Sequence, residues 1–153
     1  MRKLASILTA LAVASLVFAA LSSAGPAAAH FRLSTTLNAL QEVPKQAVKN
    51  AAGHGTFTGT LSGKTLKWKL TWAKLTGPAT AAHIHIGAMG KSGNVVVALC
   101  GPCGSASGSK TGTAKITASL LKTIQKHGTY VNVHTAKNPA GEIRGQLVAK
   151  SGM

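Results

Sequence analysis

The chain reads as an all-β protein, an antiparallel Greek-key β-sandwich or barrel with one short helix before the last hairpin. Three observations lead there. Leu66, Trp68, Leu70 and Trp72 alternate with Lys67, Lys69 and Thr71, so one face of that strand enters a core and the other meets water. Elsewhere the segments are short, rich in Thr and Val and punctuated by Gly, which is a strand-and-turn pattern. A single stretch, residues 118–127, has helical spacing, with Leu120, Leu121 and Ile124 on one side and a stop at Gly128.

Taken in order, residues 31–37 form a first strand, and 38–52 a connection carrying Glu42-Val43-Pro44. Residues 53–61 form a second strand that turns at Ser62-Gly63-Lys64 into the Trp-bearing third. Thr76-Gly77-Pro78 leads into a strand over 80–86, and 87–93 is a loop. A continuous apolar strand follows over 94–99, then a flexible loop over 100–109 and another strand over 111–117. After the helix, strands over 129–135 and 142–149 are joined through Asn138-Pro139-Ala140-Gly141.

The first residues set the expected compartment. Arg2 and Lys3 precede an apolar run over 4–21, Gly25-Pro26 breaks it, and Ala27-Ala28-Ala29 supplies small residues. That is the layout of a secretory signal peptide over residues 1–29, with cleavage before His30 and one domain over 30–153. The expected location is extracytoplasmic, as a secreted, cell-surface or periplasmic protein without a stable membrane span. An uncleaved anchor is the alternative, because the run approaches spanning length.

Charge narrows the partners. Seventeen Lys and Arg face two acidic residues, for a net charge of +15. Such a field attracts polyanions, with anionic cell-wall polymer or acidic polysaccharide as the expected partner; a merely solvated surface is the plainer reading. Specific nucleic-acid binding is not expected, because aromatics do not interleave with the charges. An enzyme is not expected either. The chain has no aspartate for a Ser-His-Asp set, and Glu42 and Glu142 have no evident catalytic pairing.

His83-Ile84-His85 is the most informative triplet. On a strand both imidazoles leave the same face while Ile84 and Ile86 leave the other, and two imidazoles so placed can share copper or zinc. In the 129–135 strand, Tyr130, Asn132 and His134 share one face opposite Val131 and Val133, which makes His134 the third candidate ligand. On the last strand Glu142, Arg144 and Gln146 form a matching polar stripe, near which His134 could lie. The architectural alternative has His83 and His85 hydrogen-bonding across strands and Glu142 pairing with Arg144. Cleavage before His30 would also leave an amine and imidazole able to chelate copper together.

Cys100-Gly101-Pro102-Cys103 has the spelling of a redox motif, yet Gly104-Ser105-Ala106-Ser107-Gly108-Ser109 follows it, which is a loop. A redox cysteine needs a helix N-terminus to lower its pKa, so a structural disulfide between Cys100 and Cys103 is expected, with metal ligation and redox exchange as alternatives. Residues 87–93 lack the spacing of a phosphate loop. His54 and His127 read as exposed.

Four motifs in order carry a family resemblance: Leu37-Asn38-Ala39-Leu40-Gln41-Glu42-Val43-Pro44, residues 77–85 ending in His83-Ile84-His85, residues 130–135, and Gly141-Glu142-Ile143-Arg144-Gly145-Gln146-Leu147. Together they resemble a CHRD (chordin-type) domain over roughly residues 31–148. The resemblance implies an extracellular β-sandwich and no catalytic residues; Glu42, Asn132, Glu142, Arg144 and Gln146 are read from their positions as a structural polar motif. The cysteine-rich modules that accompany the domain in chordin are lacking, so growth-factor binding does not carry over. A looser likeness is to Cu/Zn superoxide dismutase, through His83, His85 and His134. The absence of aspartate and of a histidine cluster after His85 argues against dismutase activity. The leading expectation is a non-enzymatic binding or surface-structural module with a basic surface for anionic envelope or matrix material. The alternative is a copper-binding extracytoplasmic protein.

Overall fold

The computed structural model describes residues 30–45 and 50–152; the expected signal peptide over 1–29 lies outside them. Among the described residues nine strands are formed: β1 (His30–Asn38), β2 (His54–Ser62), β3 (Thr65–Ala73), β4 (Ala79–Ile86), β5 (Val95–Cys100), β6 (Gly108–Lys115), β7 (Thr129–Thr135), β8 (Ile143–Gln146) and β9 (Val148–Ser151). Helix α1 (Ala118–Gln125) lies between β6 and β7. All pairings are antiparallel. The order across the sheet is β5-β4-β7-β8-β1-β2-β3-β6, with β9 also on β1. Strand β7 returns beside β4 rather than β6, a Greek-key crossover. Among the described residues, no helix is long and apolar enough to cross a membrane.

Alternation places the core. Leu33 and Leu37 of β1, Phe57 and Leu61 of β2, and Leu66, Trp68, Leu70 and Trp72 of β3 are all buried and point inward. Ile84, Val131, Val133 and Ile143 close the cluster from the other half of the barrel. Ile86, expected to face inward with Ile84, lies at the end of β4 and is exposed. The single strand expected over 142–149 divides at the buried Leu147, so that β8 pairs with β7 and β9 with β1.

The two tryptophans fit because β6 opposes them with glycine. Gly108 pairs with Trp72 and Gly112 with Trp68. A Cβ at Gly112 would stand 2.5 Å from Trp68 Cζ2, and one at Gly108 2.9 Å from Trp72 Cζ2. Volume missing on one strand is filled by indole from the next.

The sheet rolls until its edge strands β5 and β6 approach each other, and the loop between them fastens the seam. Cys100 and Cys103 form a disulfide. The N–H groups of Cys103 and Gly104 donate to the Ala79 carbonyl, at 3.0 and 3.1 Å, and Leu75 N–H donates to Ala106 O at 3.0 Å. Trp72 Nε1 donates to Ser105 O at 2.9 Å. The segment expected to be a flexible loop is therefore bonded to β3 and to the start of β4. Helix α1 is capped by Thr117, whose side chain accepts from Leu120 N–H. It ends with His127 at φ 56° and Gly128 N–H on Thr123 O.

Gly112→Ala is expected to destabilise the fold by about 1–3 kcal/mol through overpacking against Trp68. Thr113→Ala, outward on the same strand, should change it by less than about 0.5 kcal/mol. Denaturant unfolding of the two variants distinguishes them, and equal effects would show that the indole does not depend on the missing Cβ.

Candidate metal centre

β4 and β7 pair with His83 opposite Asn132, His85 opposite Tyr130 and Ala81 opposite His134. His83 and His134 are therefore diagonal neighbours on one face, within reach of each other's rings. That face is the outer one, since Ala82, Ile84, Val131 and Val133 fill the core. It is not open to water. Every residue of β7 is buried, and His85 and His134 are each 8% exposed, while His83 is half-buried. Two register irregularities in the β4–β5 pairing fall immediately before His83 and before His85, as bulges often do beside functional positions.

Ring centroids lie 5.0 Å apart for His83 and His134, 5.5 Å for His83 and His85, and 5.8 Å for His85 and His134. One nitrogen from each ring can be chosen so that all three lie within 4.8 Å of one another. Among the described residues no other group of three His, Cys, Asp or Glu converges in this way. His30 stands at the start of β1, paired with Ser62 and exposed, apart from this cluster. His54 and His127 are exposed.

Backbone carbonyls set the tautomers. His85 Nδ1 is 3.0 Å from Gly93 O, and His134 Nδ1 is 3.0 Å from Pro139 O. A carbonyl can only accept, so both Nδ1 atoms carry the proton and both Nε2 atoms present a lone pair. His85 Nε2 is buried and has no hydrogen-bond partner. His134 Nε2 accepts from His83 Nδ1 at 3.2 Å. Burial, and to a lesser degree the charge of His85, lowers the His83 pKa. Burial also lowers that of His85, outweighing its bond to Gly93. Burial, helped by His83 and His85, takes His134 down to about 4 against the opposing pull of Pro139. All three rings are thus neutral at pH 7, the form that binds metal.

A tetrahedral metal with bonds of 2.0–2.1 Å holds its nitrogens about 3.3–3.4 Å apart. His83 Nδ1 and His134 Nε2 stand 3.2 Å apart, so ligation by both needs the His83 proton on Nε2 instead, and one nitrogen from each of the three rings lies within 4.8 Å of the others. Such an arrangement can hold copper or zinc by three imidazoles, with the half-buried His83 edge left for a further ligand.

The supporting shell is the polar stripe. Tyr130 stacks on His85 with centroids 4.9 Å apart and an interplanar angle of 9°. The Arg144 guanidinium lies 3.4 Å over the Tyr130 ring and donates to Lys91 O and Ala88 O. Gln146 Nε2 lies within hydrogen-bond distance of Gly87 O, His127 O and Thr129 O. Arg144 and Gln146 thereby hold the loop whose Gly93 carbonyl orients His85. Gly93 has no room for a Cβ, which would collide with Ile86 O. Glu42 accepts from Asn132 Nδ2 at 3.2 Å; burial raises its pKa to about 7 although Asn132 and Arg144 pull it down.

Glu142 does not pair with Arg144, contrary to the architectural alternative. Its two oxygens accept from Thr76 N–H at 2.6 Å, Thr76 Oγ1 at 2.7 Å, Thr135 Oγ1 at 2.6 Å, Asn50 Nδ2 at 2.7 Å and Asn138 Nδ2 at 3.0 Å. Burial alone would raise this carboxyl; the bonds from Thr135, Thr76 and Asn50 outweigh it and hold the pKa at about 2. The carbonyls of Gly93 and Pro139 are the site residues that side-chain reasoning missed. Both sit in loops, where alternation carries no signal.

Residues 33–147 match the family of the CHRD domain. Among curated proteins and solved structures, nothing matches the chain.

Glu142→Gln keeps the shape but turns an amide toward groups that donate, and is expected to cost about 2–4 kcal/mol near pH 6. A carboxyl with a depressed folded pKa contributes stability above its ordinary value of 4.5 and loses it as pH falls through about 2. The gap between wild type and variant in chemical unfolding should therefore close between those two values. A gap independent of pH would contradict an ionised Glu142.

Proposed function

The chain belongs to the CHRD domain family, and on that premise we propose that it is a non-enzymatic, extracytoplasmic binding module whose His83, His85 and His134 hold a transition-metal ion, copper in preference to zinc. The observation that carries this reading is the pair of fixed tautomers. His85 and His134 each spend Nδ1 on a backbone carbonyl, which leaves both Nε2 lone pairs free of the backbone; that of His134 faces His83, and that of His85 is buried without a partner. A buried unsatisfied acceptor costs roughly 1–3 kcal/mol, and a bound cation removes that cost. Orientation of ligating imidazoles by carbonyls is the usual outer shell of a histidine metal site.

Copper is favoured over zinc because imidazole donors follow the general affinity order of divalent ions, which peaks at Cu²⁺. No thiolate competes, since the two cysteines are joined in a disulfide. Export is supported by the apolar run over 4–21 ahead of Ala27-Ala28-Ala29 and by that disulfide, which persists in oxidising compartments. The absence of aspartate from the chain, and the full commitment of Glu142 to hydrogen bonds, support a binding role rather than catalysis.

Titration with Cu²⁺ and Zn²⁺ under calorimetry is expected to give one ion per chain, with copper the tighter. His85→Ala or His134→Ala should weaken binding by roughly 100-fold or more, beyond what loss of an outer-shell partner costs. His54→Ala and His127→Ala should leave it unchanged. Unaltered copper stoichiometry in the His83→Ala/His85→Ala double variant would refute the site.

A further inference from the structure

The charge of this protein is distributed unevenly, and the register makes the pattern explicit. Its only two acidic side chains, Glu42 and Glu142, are both buried, at 4% and 0% exposure. No carboxylate side chain therefore reaches the surface to neutralise a lysine. Strands β4, β5, β7 and β8 carry no lysine, and the single arginine among them, Arg144, is buried. The exposed strand-borne Lys and Arg all lie on β1, β3, β6 and β9.

On the outer face of that half they fall into cross-strand rows. One row runs Lys150, Arg32, Thr60, Lys67, Thr113 through four successive pairings. The next runs Ser34, Thr58, Lys69, Thr111. Neighbouring strands are about 4.8 Å apart, so Arg32 and Lys67, two strands apart, stand roughly 10 Å from each other across a floor of hydroxyls. A groove of about 500 Å³ runs over this face, and Arg32, Lys67, Lys69 and Lys150 contribute to its walls beside Thr58 and Thr60.

We infer that this groove is a docking surface for an acidic polysaccharide, independent of the histidine cluster on the opposite half of the barrel. The four cations meet carboxylates along the polymer. The threonine and serine hydroxyls between them, which both donate and accept, meet the sugar hydroxyls. Charge alone would attract any polyanion, but the outward positions of these rows are cations and hydroxyls, and Trp68, the one aromatic residue bordering the groove, is 7% exposed and packed into the core, so no open ring face is offered to a base. The surface is therefore suited to a carbohydrate chain rather than to a nucleic acid.

Retention of the protein on immobilised polygalacturonate, neutral dextran and single-stranded DNA across a salt series tests this. Binding to polygalacturonate is expected at low salt and should fall steeply as salt rises, with none to dextran. The Lys67→Gln/Lys69→Gln variant, altered only at exposed positions, should bind about tenfold more weakly and with a shallower salt slope. Lys122→Gln/Lys126→Gln, which removes two exposed charges at the helix, should bind polygalacturonate as wild type does. Equal losses in the two variants would mean that net charge alone binds, and DNA binding as tight as polygalacturonate binding would mean that the hydroxyl rows select nothing. Either result overturns the assignment. Copper titration of Lys67→Gln/Lys69→Gln should match wild type, so the failure of one site leaves the other standing.

Discussion

The architecture rests on a carboxylate that cannot be left without donors. Glu142 is wholly buried in a chain with a net charge of +15, yet among the described residues no cation pairs with it. Burying an isolated carboxylate is among the costliest events in folding, and here it is met with neutral donors drawn from three parts of the chain. Asn50 comes from the connection before β2, Thr76 from the one between β3 and β4, and Thr135 with Asn138 from the β7–β8 turn. Asn50 adds a bond to Lys74 O and accepts from Gly53 N–H. One side chain thus joins the loops at one end of the barrel, and the turn it fixes presents the Pro139 carbonyl to His134.

From that anchor the two halves of the barrel diverge. The outer surface of β1, β2, β3 and β6 faces water and carries cations and hydroxyls. The outer surface of β4, β7 and β8 is mostly buried, with Arg144 and Gln146 binding the 87–93 loop through its carbonyls. Burial on that side keeps the histidines neutral and raises Glu42 to about 7. The two polar surfaces are therefore chemically opposite. One offers exposed, solvated positive charge, and the other offers lone pairs on oriented rings.

The Cys100–Cys103 loop shows how a familiar spelling can serve a different purpose. With no helix after it, the pair does not gain the electrostatics of a redox site. Instead the loop is tied to Leu75 and the start of β4 by main-chain bonds and to β3 by the Trp72 indole, where the sheet would otherwise leave open edges, and covering such edges protects a β protein from unwanted pairing.

The sequence by itself determined the all-β class, the strand bearing Trp68 and Trp72, the helix before the last hairpin and the shared face of His83 and His85. Each of these depends only on which way successive side chains point, and that is a local property of the backbone. It also carried the four motifs of the CHRD family. The tertiary structure alone decided that His134 meets His83, that Glu142 turns to Thr76 and Asn50 instead of Arg144, and that the 100–109 segment fastens the seam. Those outcomes depend on the register between strands far apart in the chain and on carbonyls in loops. Main-chain carbonyls are the same at every position, so no residue type could mark Gly93 and Pro139 as the groups that aim the rings.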